Sequence, residues 1–316
     1  MTWQALPFIV LLGFFYGSTL VVSRFSVGQW APSTYIGLRL TLAALAHVLI
    51  YAAMRSRQWP RNGRVWRHAV LFGVLGTAVP MVCIVTGLQY LSSGLASIVI
   101  TTNPAFTVLL AHFFLADEKL NLRKVLGVAL ALSGAALLAL MGENGLSAEE
   151  AASPIGYILL TTAMLFGSSS TIYARKYMSD MDSFDVASIR MVSAAAAVLP
   201  LSVLLVGFDT TAVDQFGLAA LFYAALVGTF GGLLLAFYNI KHFGATASAM
   251  TSYVIPVVAS IGGALFLGEI ITVGMLVGMA FIAVGIGLIN ERKKRTAETK
   301  KTVEPVLNRP DIPAGD

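Results

Sequence analysis

The chain has 316 residues, 57% of them hydrophobic and 12% charged, with a formal net charge of +5. A soluble domain carries about 25% charged residues, so a soluble fold of this length would lack a polar coat, whereas lipid-facing surfaces need none. The basic residues form no stripe interleaved with aromatics, which argues against a nucleic-acid partner, and the single cysteine, Cys83, excludes an intramolecular disulfide.

A bilayer core requires about 20 apolar residues in a helix. Ten stretches meet that length: about 5–25, 33–54, 68–90, 93–115, 122–141, 155–175, 184–206, 217–240, 245–267 and 271–290. The first lacks a basic flank and a cleavage pattern, so it reads as a retained helix. Short connections make consecutive helices antiparallel neighbours. With both termini in the cytoplasm, eighteen of the 21 Lys and Arg residues fall in cytoplasmic segments. They include the Arg55, Arg57, Arg61, Arg64 and Arg67 cluster, which sets topology and meets anionic lipid headgroups. Glu143, Glu149, Glu150, Asp209 and Asp214 fall outside. Residues 292–316 are polar and charged, with three prolines, and read as a disordered cytoplasmic tail. The fold class expected is an all-α membrane protein of ten spanning helices in a plasma (bacterial inner) membrane.

The two halves of the chain repeat one another. Glu118, Gly127 and Gly134 recur as Glu269, Gly278 and Gly285 at an offset of 151. Pro104 recurs as Pro256 and Phe114-Leu115 as Phe266-Leu267, offset by 152. Arg24 matches Arg175, Arg39 matches Arg190, and Gly76-Thr77 matches Gly228-Thr229. Residues 1–143 and 154–291 therefore read as two copies of a five-helix unit. Five is odd, so the second copy enters the membrane inverted, an arrangement common in secondary transporters.

The paired Pro…Glu-x8-Gly-x6-Gly segments resemble the drug/metabolite transporter superfamily, in its ten-helix EamA-type branch, over about 290 residues. Within that branch the chain looks like the YddG-type amino-acid exporters. One departure is the Asp117-Glu118 pair where the second copy has Gly268-Glu269. The resemblance implies export of amino acids, aromatic and other large neutral ones among them, with no cofactor.

Helix-weakening and small polar residues gather near the middle of six expected helices: Tyr16, Gly17 and Ser18 in the first, Pro80 in the third, Pro104 in the fourth, Gly167 to Ser170 in the sixth, Gly232 in the eighth and Pro256 in the ninth. A proline frees the carbonyl four residues earlier, here on Ile100, Ser252 and Gly76. Freed groups at membrane depth need protein, water or substrate. A central cavity between helices 1, 3, 4, 6, 8 and 9 is expected, with Asn103, Tyr253, Tyr16, Ser18, Pro80, Thr101, Ser168 and Ser169 as substrate-contacting candidates. Pro104, Pro256, Gly17 and Gly232 are the candidate helix breaks. Prolines also merely bend helices, and serines bond their own backbone. Glu118 and Glu269 each precede a helix and suit its positive end.

No Asp or Glu lies mid-helix, which disfavours a cationic substrate. Arg39 and Arg190 sit about six residues into their helices, roughly 9 Å deep, and are expected to snorkel to the surface. A neutral or zwitterionic metabolite fits these expectations. There is no Walker motif and no mid-membrane carboxylate, so facilitated efflux is expected, with proton antiport of other metabolites or drugs as the alternative. The scattered histidines and the lack of a His-Glu-x-x-His or Gly-x-Ser-x-Gly motif argue against a metal site and an enzyme. One chain can form the whole pathway, so a monomer is expected.

Overall fold

The computed structural model describes residues 3–53, 58–116, 118–146, 153–244 and 248–290. Arg55, Arg57, Asp117, Glu149, Glu150 and the 292–316 tail lie outside the described residues. Ten helical segments succeed one another: α1 (Leu6–Ser26), α2 (Pro32–Ala53), α3 (Gly63–Gly87), α4 (Ser93–Phe114), α5 (Leu122–Leu140), α6 (Pro154–Tyr177), α7 (Ser183–Leu205), α8 (Gln215–Phe243), α9 (Thr251–Leu267) and α10 (Val273–Asn290). Among the described residues nine are long and apolar enough to cross a membrane, and α9 is a shorter apolar helix. Leu140, Leu204 and Phe266 are each at least 80% exposed, which suits lipid and not water. Among the described residues it is an all-helical, multi-pass membrane protein.

Local chemistry places the helix ends. The side chains of Asn62, Asn121, Asp182 and Asp214 accept hydrogen bonds from backbone N–H groups of the first turns of α3, α5, α7 and α8. These caps satisfy donors that have no partner within the helix. The Asn62 cap starts α3 five residues before the apolar stretch does, so Arg64 and Arg67 lie on its exposed first turns. Gly268 ends α9 in a left-handed conformation, φ 65°, where a side chain would be strained.

The halves interlock as an inverted pair. α5 packs on α10, and α2 on α7, each helix against its own repeat partner. α1 packs on α9 as α6 packs on α4, again the same contact with the halves exchanged. The Gly-x6-Gly seams lie between α5 and α10: a Cβ on Gly127 would sit 2.7 Å from the Gly285 carbonyl oxygen, and one on Gly285 2.6 Å from that of Gly127. Bare glycines let the two backbones touch.

Three helices are irregular. α3 widens into a π-helical segment over Val74–Ala78, and α8 over Ala224–Gly231. The matched Gly76-Thr77 and Gly228-Thr229 pairs fall inside these two segments; Pro80 lies two residues after the first and Gly232 directly after the second. α4 is interrupted by a turn at Thr101 and Thr102, and Pro104 opens its second half. By contrast α1 runs unbroken through Gly17, and Pro256 lies inside continuous α9. Gly17 serves a close approach: a Cβ there would meet Val258 at 2.7 Å and the Ile255 carbonyl at 2.9 Å.

Candidate functional site

A cavity of about 230 Å³ lies between the two halves. Its polar lining comes from Tyr16, Thr19 and Ser23 of α1, Arg39 of α2, Arg190 of α7 and Thr229 of α8. Apolar side chains close the rest, among them Met81 of α3, Ile100 of α4 and Ile255 of α9. Ile100 stands at the interruption of α4 and Ile255 immediately before Pro256, so α4 and α9, which carry the repeat-matched Pro104 and Pro256, both reach the cavity wall. Tyr16 fits because Gly232 faces it: a Cβ on Gly232 would lie 2.6 Å from the Tyr16 ring.

The arginines do not snorkel. Arg39 is 7% exposed, and its Nε donates to Thr229 Oγ1 at 2.7 Å while Nη1 donates to Ser23 Oγ at 3.2 Å. Thr229 in turn donates to the carbonyl of Ala224, five residues back, at 3.0 Å, a bond that spans the π segment. Arg190 repeats the pattern with the halves exchanged: its Nε donates to Thr77 Oγ1 in the π segment of α3, and its guanidinium lies 4.7 Å from the Phe72 ring centroid. Each arginine therefore reaches across to the opposite half. Each lies seven residues into its helix, about 10 Å along the axis, which is deep enough to face inward. Counting residues from a helix end ignored the direction of the side chain. The signal that could have found them was present in the sequence, because Arg39 and Arg190 occupy one repeat position and so do Thr77 and Thr229.

The other sequence candidates scatter. Asn103 and Ser168 meet at the α4–α6 contact, Ser168 Oγ donating to Asn103 Oδ1 at 2.8 Å, with Thr107 Oγ1 donating to Ser168 at 3.1 Å. Thr101 and Tyr253 line a separate pocket of about 220 Å³ against α10. Ser18 bonds Tyr223 Oη at 2.8 Å in an open groove of α1, α8 and α9, and exposed Ser169 faces a groove with Leu71 and Tyr173. Pro80 is buried behind the π segment. Helix α6 is not part of the cavity wall, and α2 and α7 are. Ser170 of α6 serves packing, since a Cβ on Gly76 would lie 2.6 Å from it.

Glu269 is buried and caps a helix other than the one it precedes. Its carboxylate accepts from Ser93 N at 2.8 Å and Ser93 Oγ at 2.7 Å, at the N-terminus of α4. Burial pushes its carboxyl above the usual range, while the bonds from Ser93 and Gly94 and the Arg24 charge pull it back. Its repeat partner Glu118 instead forms an ion pair with Arg175, at the exposed end of α6. Among the described residues no three His, Cys, Asp or Glu side chains are grouped to hold a metal ion.

The family of the chain follows from a match that covers both halves. The EamA-like transporter family matches residues 3–140 and again 154–291. The chain belongs to this family of membrane transporters. It is 23% identical to the uncharacterized transporter YoaV of Bacillus subtilis, over 88% of this chain and 94% of that one. It is 28% identical to the uncharacterized inner membrane transporter YedA of Escherichia coli, over 92% of each. A probable terminal-alkyne amino-acid exporter of Streptantibioticus cattleyicolor is 29% identical, over 83% of this chain and 86% of that one. A solved crystal structure superposes with a TM-score of 0.60 at 18% identity, covering 89% of this chain and 95% of its own, which is a likeness of fold.

Proposed function

We propose that this transporter exports amino acids, including large neutral and aromatic ones, by alternating access at the cavity between its halves. The observation that carries the reading is the cavity itself, bounded by α1–α4 and α7–α9. Inverted halves can exchange which side is open by rocking about a fixed site. At about 230 Å³ the cavity is smaller than the ~300–1,000 Å³ of drug-sized pockets, in keeping with a small metabolite. Tyr16 contacts the substrate, and the interrupted α4 and π-widened α3 and α8 supply the flexible backbone. Asn103 and Ser168 act from the α4–α6 contact. The name of the S. cattleyicolor relative supports an amino-acid cargo, and that of the E. coli relative supports the bacterial inner membrane. Both termini sit in the cytoplasm and a single chain suffices.

Efflux runs down the substrate gradient in this reading. Proton antiport is the second reading, favoured by Glu269, a buried carboxyl that burial inclines to hold a proton. Uptake of radiolabelled threonine, methionine and phenylalanine into vesicles holding the purified protein tests both. Saturable uptake without an imposed gradient supports facilitated export. Uptake that requires a proton gradient supports antiport, and no uptake of any amino acid removes the amino-acid cargo.

A further inference from the structure

We infer that Arg39 and Arg190 form a carboxylate-binding site, so that the transported molecule is recognised through its acid group and not through its ammonium. The inference rests on the transport reading above only for the word transported; the site itself stands on geometry. Both guanidiniums line the same cavity as Tyr16. Among the described residues no Asp or Glu lines that cavity, and neither arginine has a carboxylate partner there. Their hydrogen-bond partners are the neutral hydroxyls of Thr229, Ser23 and Thr77, and the Tyr35 hydroxyl also bonds Arg39. Two cations facing one small space without an anion are expensive in a low-dielectric interior. A bound carboxylate removes that cost, and guanidinium is the side chain best matched to it, because its planar fork donates in pairs.

The remaining donors suit this role. Arg39 spends Nε and Nη1 on protein, and Arg190 spends Nε. That leaves the outer edge of Arg190, and the Arg39 donors that the Tyr35 hydroxyl does not take, for a ligand oxygen. An ammonium has no such welcome: the cavity offers it two positive neighbours and no acid. The site therefore takes small organic monocarboxylates, amino acids among them, and their deaminated analogues equally well.

Ligand-dependent thermal stabilisation of the purified full-length protein in detergent tests the site apart from transport. The probes are alanine, methionine and phenylalanine, their amides, and their 2-oxo-acid counterparts. Free acids and 2-oxo acids are expected to raise the unfolding temperature, and the amides to leave it unchanged. Arg39→Gln and Arg190→Gln are expected to weaken binding of the responding acid by about tenfold to a hundredfold, the scale of one or two charge-assisted hydrogen bonds. Arg39→Lys, which keeps the charge, is expected to retain part of it. Amides that stabilise as well as acids overturn the inference, and the ligand series needs no variant to fold. Stabilisation by none of the acids also overturns it, leaving the transport reading to the vesicle assay. Acids that bind but do not cross vesicles support the site and count against transport.

Discussion

Replacing Gly285 with alanine strikes the α5–α10 seam where backbone meets backbone. The added Cβ would lie 2.6 Å from the Ala131 nitrogen and 2.6 Å from the Gly127 carbonyl oxygen. Both neighbours are backbone, so no rotamer change relieves the clash. The helices must part by roughly 0.8 Å to restore a 3.4 Å contact, and a gap of that order forfeits about a quarter to a half of each neighbouring dispersion contact. Overpacking of this kind costs about 1–3 kcal/mol. Thermal unfolding in detergent is the assay. Gly63→Ala is the control, because a Cβ there meets nothing within 4 Å, and it should melt with the parent protein or slightly above it. Since α5 and α10 stand away from the Tyr16 cavity, ligand binding by the folded Gly285→Ala protein should be unchanged. A Gly285→Ala protein that melts with the parent would refute the close approach of the two helices.

Gly232→Ala should cost little stability, because the Tyr16 ring can turn away, yet lower transport by displacing that ring; unchanged flux would argue against a substrate contact at Tyr16. Asn103→Ala should lower stability by about 1 kcal/mol by removing the acceptor for Ser168, with KM unchanged, whereas a large rise in KM would make Asn103 a direct contact. Glu269 gives a pH signature. Its carboxyl is raised in the folded protein, so the folded state holds the proton more tightly than the unfolded chain. Stability is therefore greatest below the unfolded carboxyl range and falls as pH rises through the folded value. Unfolding measured across acidic to neutral pH should show this decline, flattened in Glu269→Gln; a contribution that grows with pH across that window would contradict it.

Much of the fold could be read directly from the sequence. Apolar runs and the offset repeats located ten helices and their pairing into halves, because length and periodicity are properties of single segments. The Gly-x6-Gly spacing was also legible, since it recurs at matched positions in both halves. The site was less so. Tyr16 lines the cavity, but Ser168 and Asn103 meet at a helix contact and Ser18 faces an open groove. Mid-helix position fixes depth in the membrane and leaves the direction of the side chain open. Arg39 and Arg190 show the same gap from the other side. Their depth was read to within one residue but not the inward direction of the side chain, and nothing local announces that a π segment on the opposite half will present a threonine to each. The repeat correspondence of Arg39 with Arg190 and of Thr77 with Thr229 carried that information, once the pairs were read together.

If substrate crosses through the cavity between the two halves, filling that cavity stops transport. Radiolabelled amino-acid counterflow in vesicles, with the parent protein beside Met81→Trp and Leu204→Trp, separates the outcomes. Met81 lines the cavity, and Leu204 is 81% exposed on the lipid-facing surface. Saturable counterflow that is lost in Met81→Trp and kept in Leu204→Trp is the expected result. Counterflow that survives a filled cavity would contradict the claim.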